Sequence, residues 1–292
     1  MPIAWYLNLD AEEELRDPGG YAPSAAMRQR VERMGERLGA LLAPGDCVVH
    51  DTDVGLGGRF MGQAWCPTPR ALAVLHHAGV CVPPAPPLAV LQHVNHRAFC
   101  ASLGQSLPGA VFVRDVVTLR AHLAAYAGTT WLLKRPFGFA GRGRMRARWP
   151  VQAAGLDRWI SKSLASGDGL QVEPWVEREL DVAVHGYVHT DAPPRFGVAV
   201  VQECSMSGAW LRSRPPLPGE LTEPEAGQLL STAAQVALAL HDAGYFGPFG
   251  VDAYRWRDAS GSVYFNPRSE INARYTMGWH IGMRGWRPGV PD

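Results

Sequence analysis

Lysine is nearly absent from this 292-residue chain: only Lys134 and Lys162 are lysines among its 28 basic residues, and the rest are arginine. A lysine kept against such a bias marks a position to watch. Charge of one sign is also scarce. The 28 bases face 27 acids, leaving +1 at neutral pH, so no broad positive field exists to hold a nucleic-acid backbone or an anionic membrane. Neither partner is expected. Cysteine is sparse and scattered. Cys47, Cys66, Cys81, Cys100 and Cys204 are odd in number and include no C-x-x-C pair, which argues against a disulfide framework or a cysteine zinc site and for buried thiols in a reducing cytoplasm. No run of about 18 apolar residues occurs, and MPIAWYLNLDAEEEL lacks the basic and long apolar regions of a secretory leader, so a cytoplasmic location is expected. Neither a P-loop G-x-x-x-x-G-K-[ST] nor a Rossmann G-x-G-x-x-G is present, which removes two common nucleotide folds.

What is present is an ordinary globular composition, 47% hydrophobic and 19% charged, with length for about two lobes, or one α/β unit with an insertion, and a pattern of mixed α/β (α+β) class. Residues 1 to about 87 read as an α/β layer, with strands at Ile3–Leu9 and Cys47–His50 and helices over Ser24–Leu42 and Thr68–His77. Prolines 83, 84, 86 and 87 mark a turn before a helix over Leu88–Leu103. A small lobe follows, with a helix at Val117–Tyr126, a buried strand TWLLK, the glycine-containing connection RPFGFAGRGRMR, a helix near Gly155–Ala165 and the strand QVEPWV. From Glu179 onward, ELDVAVHGYV, RFGVAVVQE and GAWLRSR read as antiparallel strands. A helix over Thr222–Ala243 and a hairpin of VDAYRWR and SVYFN about DASG come last.

Three segments carry chemistry. Lys134 closes an apolar strand beside Gly138, Gly141 and Gly143, which let the backbone turn tightly and bring N–H donors near phosphate oxygens; a plain hairpin turn is the competing reading. Asp252 is an acid set among apolar residues, costly to bury unpaired, and alternation points Glu270, Asn272 and Arg274 of E-I-N-A-R to one face. Two carboxylates and an amide oxygen make a hard-oxygen site suited to Mg²⁺. Glu173, at a strand end, could lie beside an adenine edge, with Glu179 and Asp181 near a ribose; solvated acids explain the last two equally well.

In that order and combination the segments resemble the ATP-grasp superfamily of carboxylate–amine ligases over nearly the whole chain. LLKRPFGFAGRGRMR resembles the loop that covers the triphosphate, QVEPWVE the linker that contacts adenine, and GVDAYRWRDASGSVYFNPRSEINAR the metal-binding hairpin. The resemblance implies an N-terminal α/β domain (1–108), a central lid lobe (109–176) and a C-terminal metal- and substrate-binding lobe (177–292). It implies ATP and Mg²⁺ as cofactors. Arg97 would meet the α-phosphate and Lys134 the α- and β-phosphates. Glu173 and Val176 would border adenine, Arg212 or Arg214 would reach the γ-phosphate, and Asp252, Glu270 and Asn272 would hold the metal. Arg274 would orient the acyl phosphate or the substrate carboxylate. One departure stands out: NPR intervenes between VYF and E-x-N-x-R, so a rival register gives Asn266 and Arg268 those roles, with Tyr264 in place of the glutamate.

The function implied is amide or peptide bond formation between a small carboxylate and an amine, such as an amino acid or peptide, through an acyl phosphate. An ATP-binding regulatory or scaffold module without turnover is the alternative, and phosphoryl transfer to a stable product a third. A homodimer is the default oligomer. His93 and His96 are three apart on an expected helix but lack the glutamate of H-E-x-x-H, and no Ser-His-Asp set presents itself.

Overall fold

The computed structural model describes residues 1–104, 107–126, 128–138, 141–149, 154–165, 167–205 and 210–289. Its class is mixed α/β, as expected, with three separate sheets.

The first sheet is parallel. Strand β1 (Ile3–Tyr6) lies between β2 (Cys47–Val48) and β3 (Met61–Ala64). All four side chains of β1 are buried, as a central parallel strand requires. β3 is not legible in the sequence: its MGQA stretch is short, contains a glycine and lacks β-branched residues. Helices α1 (Ala11–Arg16), α2 (Ala25–Gly35) and α3 (Pro69–His77) surround this sheet. The expected helix over Ser24–Leu42 tightens into a 3₁₀ turn at Glu36–Leu41. Thr68 caps α3 by accepting from the Ala71 N–H, and Pro69 fills the first turn, where its missing N–H costs nothing.

The helix expected over Leu88–Leu103 is two, α4 (Leu88–Asn95) and α5 (Arg97–Ser102). His96 breaks it in an extended conformation, and its Nδ1 accepts from the Ala98 N–H at 3.1 Å, capping α5. That break makes Arg97 the first residue of a new helix.

The second sheet is antiparallel, in the order β4 (Val111–Val113), β7 (Leu170–Pro174), β5 (Thr130–Lys134), β6 (Arg144–Arg148). Alternation sends Trp131, Leu133, Leu170 and Val172 into a core closed by α6 (Val116–Ala125) and α7 (Ala154–Leu164). Leu132, Lys134, Gln171 and Glu173 take the other face. β6 was expected as a glycine-rich connection. It is a strand whose outward arginines obscure the inward Met145 and Ala147.

The third sheet runs β11 (Trp210–Arg214), β10 (Val200–Cys204), β8 (Glu177–Val188), β12 (Gly247–Arg257), β13 (Val263–Asn272), with β9 (Arg195–Phe196) also paired to β8. Gly208 and Ala209 of the expected GAWLRSR strand lie outside the described residues. Helix α8 (Glu223–Asp242) packs one face through Leu229, Ala233, Val236 and Leu240. A reciprocal Thr222–Glu225 capping box fixes its start, and Arg255 of β12 ion-pairs Glu225. After α9 (Trp279–Gly282) the described chain ends at residue 289. Trp5 and Tyr275 meet edge to face with ring centroids 5.0 Å apart, joining the first and third sheets in one core.

Candidate functional site

Lys134 ends β5 on the face away from the second sheet's core, and Glu173 lies beside it on β7. The Lys134 Nζ is 2.8 Å from both Glu173 carboxylate oxygens, and both residues are buried. Burial pulls the Lys134 pKa below the usual lysine value and nearby Arg97 adds to this, although Glu173 opposes it. The ammonium is thus presented in a desolvated place where an anion would bind strongly.

Across the cleft, β12 and β13 pair with Asp252 opposite Glu270. Farther along the hairpin Tyr254 is opposite Asn266, so β13 advances four residues while β12 advances two. This bulge absorbs the intervening NPR segment; Pro267 lacks the N–H a regular ladder would use. The rival register is not what the hairpin adopts: Asn266 and Arg268 are buried, with Arg268 Nη2 donating to Gly104 O at 2.6 Å, and Tyr264 stacks on Trp256 instead.

Asp252 accepts from the Gln202 amide at 2.8 Å and the Asn272 amide at 3.0 Å. Burial and the facing Glu270 push its pKa up to about 6 against those two hydrogen bonds and Arg274. Burial also raises Glu270, but Arg97, 2.8 Å away, and Lys134 outweigh it and hold that carboxyl below its usual range. Arg274 donates to Asn272 Oδ1 at 2.9 Å and is ion-paired to Glu12 of α1. Asn95 fixes the segment from α4 by accepting from the Ala273 N–H at 2.9 Å.

Asp252, Glu270 and Asn272 line one cleft of roughly 850 Å³ together with Lys134, Arg97 and Arg274. Among the described residues no cluster of three or more His, Cys, Asp or Glu has metal-holding geometry. Two carboxylates facing across one ladder step, with an amide oxygen beside them, nevertheless fit Mg²⁺, which takes a few protein oxygens and completes its shell with phosphate and water.

Gly138, Gly141 and Arg142 form part of the same cleft wall. Gly141 and Gly143 have φ of +76° and +72°, and a Cβ on Gly138 would meet Arg142 O at 2.9 Å, so this turn depends on glycine. Phe139 and Ala140 lie outside the described residues.

The remaining expected residues divide. Asp181 lines the cleft, where Arg178 donates to it at 2.9 Å. Glu179 is exposed and ion-pairs Arg257, and Val176 is half-buried in the connection just before β8. The structure does not bring Arg212 and Arg214, the expected γ-phosphate ligands, to the cleft. Both guanidiniums are held by Glu203, and Arg214 by Glu220 as well, on the face of β10–β11 opposite Gln202 and Ser213; neither lines the cleft. Arg178, packed 4.0 Å over the Tyr254 ring, and Gln202 are cleft residues that the sequence reading missed. Alternation in VVQEC would have separated Gln202 from Glu203. His93 and His96 pack on Phe99 and on Phe112 and Phe137.

Solved structures with this arrangement of sheets are numerous. Pyruvate carboxylase from Rhizobium etli superposes with a TM-score of 0.56 at 17% identity, covering 97% of this chain and 27% of that one. N5-carboxyaminoimidazole synthetase from Staphylococcus aureus, complexed with ADP, gives 0.51 at 12% identity over 97% and 74%. The chain has the ATP-grasp fold. The ATP-grasp biotin carboxylase domain of Hydrogenobacter thermophilus 2-oxoglutarate carboxylase, with MgADP and bicarbonate, gives 0.50 at 18% identity over 72% of this chain and 46% of that one. The chain therefore spans well under two thirds of the length of two of these three relatives in fold. No protein-family model and no curated protein sequence matches it. Within the described residues of this ATP-grasp chain, no helix is long and apolar enough to cross a membrane.

Proposed function

We propose that the protein is an ATP-dependent carboxylate–amine ligase that forms an amide through an acyl phosphate. The observation that carries this reading is the pairing of Asp252 with Glu270 on one ladder step, in the same cleft as Lys134 and Arg97. Support comes from the relatives in fold, one holding ADP and another MgADP with bicarbonate. Residues 1–108, 109–176 and 177–292 would act as N-terminal α/β domain, lid lobe and metal- and substrate-binding lobe.

In this reading Asp252, Glu270 and Asn272 would hold Mg²⁺, which would supply positive charge against the phosphates. Arg97 and Lys134 grip the α- and β-phosphates. The backbone at Val176 borders adenine, because the Glu173 carboxylate is committed to Lys134, and Asp181 lies nearest the ribose. Arg274, fixed by Glu12, orients the substrate carboxylate. A carboxylate oxygen attacks the γ-phosphorus and ADP leaves; the amine then attacks the acyl carbon, phosphate leaves, and the amine loses a proton. The glycines Gly138, Gly141 and Gly143 would let the backbone approach the phosphates, and water would be excluded from the acyl phosphate. The protein needs no nucleophile of its own, only positioning and charge.

Incubation with Mg²⁺, ATP and a panel of amino acids and short peptides tests this reading. ADP release that requires both a carboxylate and an amine supports it. Nucleotide binding without such release would favour a regulatory module, and a stable phosphorylated product without amine would indicate phosphoryl transfer.

A further inference from the structure

Helix α2 carries two stripes. Met27, Val31 and Met34 pack toward the main core, yet no residue of the helix is fully buried. Beside them Arg30 and Arg33, and Arg37 one turn further into the 3₁₀ segment, line the cleft that holds Asp252 and Glu270. A helix at a domain junction ordinarily turns an apolar i, i+3, i+7 stripe inward. Here the inward stripe is apolar, and the neighbouring i, i+3, i+7 stripe of Arg30, Arg33 and Arg37, which lines the cleft, is cationic.

Most cations of this cleft already have partners. Lys134 is held by Glu173, Arg97 by Glu270, Arg178 by Asp181 and Arg274 by Glu12. Arg37 donates to Leu211 O at 2.8 Å and lies over Trp210. Arg28, on the same helix, donates to Pro23 O at 2.6 Å. No side-chain hydrogen bond or ion pair ties the Arg30 or Arg33 guanidinium to another described residue. Glu36 shares the wall without pairing with either. Arg142, beside Gly141, also lines the cleft with no side-chain partner among the described residues, and because the whole chain carries only +1 these arginines are no part of a general basic surface.

We propose that Arg30 and Arg33 bind a second, fixed negative charge on the acid substrate, remote from the carboxylate that is phosphorylated. This rests on the ligase reading above and deepens it. One helical turn apart, two guanidiniums can straddle a carboxylate or a phosphate with charge-assisted hydrogen bonds. The α2 wall lines the same cleft as Arg274, which Glu12 of α1 holds and which is assigned above to the substrate carboxylate. The nucleotide phosphates are assigned above to Lys134 of β5 and Arg97 of α5.

Hydroxylamine trapping provides the test. With Mg²⁺ and ATP, the acid carboxylate takes the γ-phosphoryl group and releases ADP. Hydroxylamine nitrogen then attacks the acyl carbon, phosphate leaves, and the nitrogen loses a proton to give a coloured ferric hydroxamate after iron is added. The probes are matched acids: glutamate and glutamine, aspartate and asparagine, O-phosphoserine and serine. We expect hydroxamate from a charged member and little from its neutral counterpart, and the pair that responds tells carboxylate from phosphate. The double variant Arg30→Gln/Arg33→Gln should raise KM for that acid about tenfold or more, with the effect falling on KM rather than kcat, while Arg28→Gln does not. Hydroxamate formed equally well from neutral members, or an unmoved KM in the double variant, overturns the inference and leaves the ligase reading standing. Absence of ADP and hydroxamate with every acid overturns the ligase reading, and this inference with it.

Discussion

Arg97, the first residue of α5, holds the Glu270 carboxylate at 2.8 Å, so the acid that faces Asp252 is already neutralised by a guanidinium. Two carboxylates on one ladder step repel unless a cation lies near. Arg97 supplies that charge from within the chain, and Mg²⁺ would supply it from outside. Arg97→Gln should therefore lose about 2 kcal/mol of stability without metal and recover more of it than wild type when Mg²⁺ is added. Urea unfolding with and without millimolar Mg²⁺ checks this; equal gains in both proteins would contradict it.

The buried Lys134–Glu173 pair makes a second prediction. Removing one partner strands the other charge, so Lys134→Met or Glu173→Leu alone should cost about 3 kcal/mol or more, whereas the double variant should regain most of it. Nucleotide binding should be lost in Lys134→Met and stay lost in the double variant. A double variant no more stable than the worse single one would show that the pair is not coupled.

Arg178 and Arg212 lie on neighbouring parts of one sheet but face different surroundings. Arg178 borders the cleft, and the Arg212 guanidinium is tied to Glu203 outside it. Arg178→Gln should lower kcat/KM about tenfold or more, and Arg212→Gln should lower it far less. A larger loss at Arg212 would restore that residue to the γ-phosphate.

His185 is fully buried on β8, and neither ring nitrogen has a hydrogen-bond partner among the described residues. Burial drives its pKa down from 6.5 to about 3. Between those values the unfolded chain binds a proton that the fold refuses, so stability falls with pH from about 6.5 to about 3 and then levels for this group. The slope is about 1.4 kcal/mol per pH unit. His185→Leu should show an acid limb shallower by about one proton in urea titrations. Parallel limbs would contradict a neutral His185.

Much of this site is visible in the residue order because its strands declare themselves locally. TWLLK alternates between core and cleft, which puts Lys134 at a strand end, and the hairpin strands around DASG place Asp252 within reach of E-I-N-A-R. What could not be read depends on distant pairing. The Glu12–Arg274 bond spans nearly the whole sequence, and the bulge at Pro267 reconciles a spacing that otherwise suggests the wrong register. β6 hid because its alternate arginines face outward. His96 looked like an interior helical residue until its ring capped α5. The fold class follows from patterns of apolar residues; the partners of each arginine follow from tertiary contacts that no local pattern encodes.

The most direct measurement is a crystal structure with Mg²⁺ and a non-hydrolysable ATP analogue. The account predicts metal bridging Asp252 and Glu270 to the phosphates, with Lys134 Nζ within hydrogen-bonding distance of the α- or β-phosphate. Metal or triphosphate bound elsewhere, with Asp252 and Glu270 untouched, would contradict it.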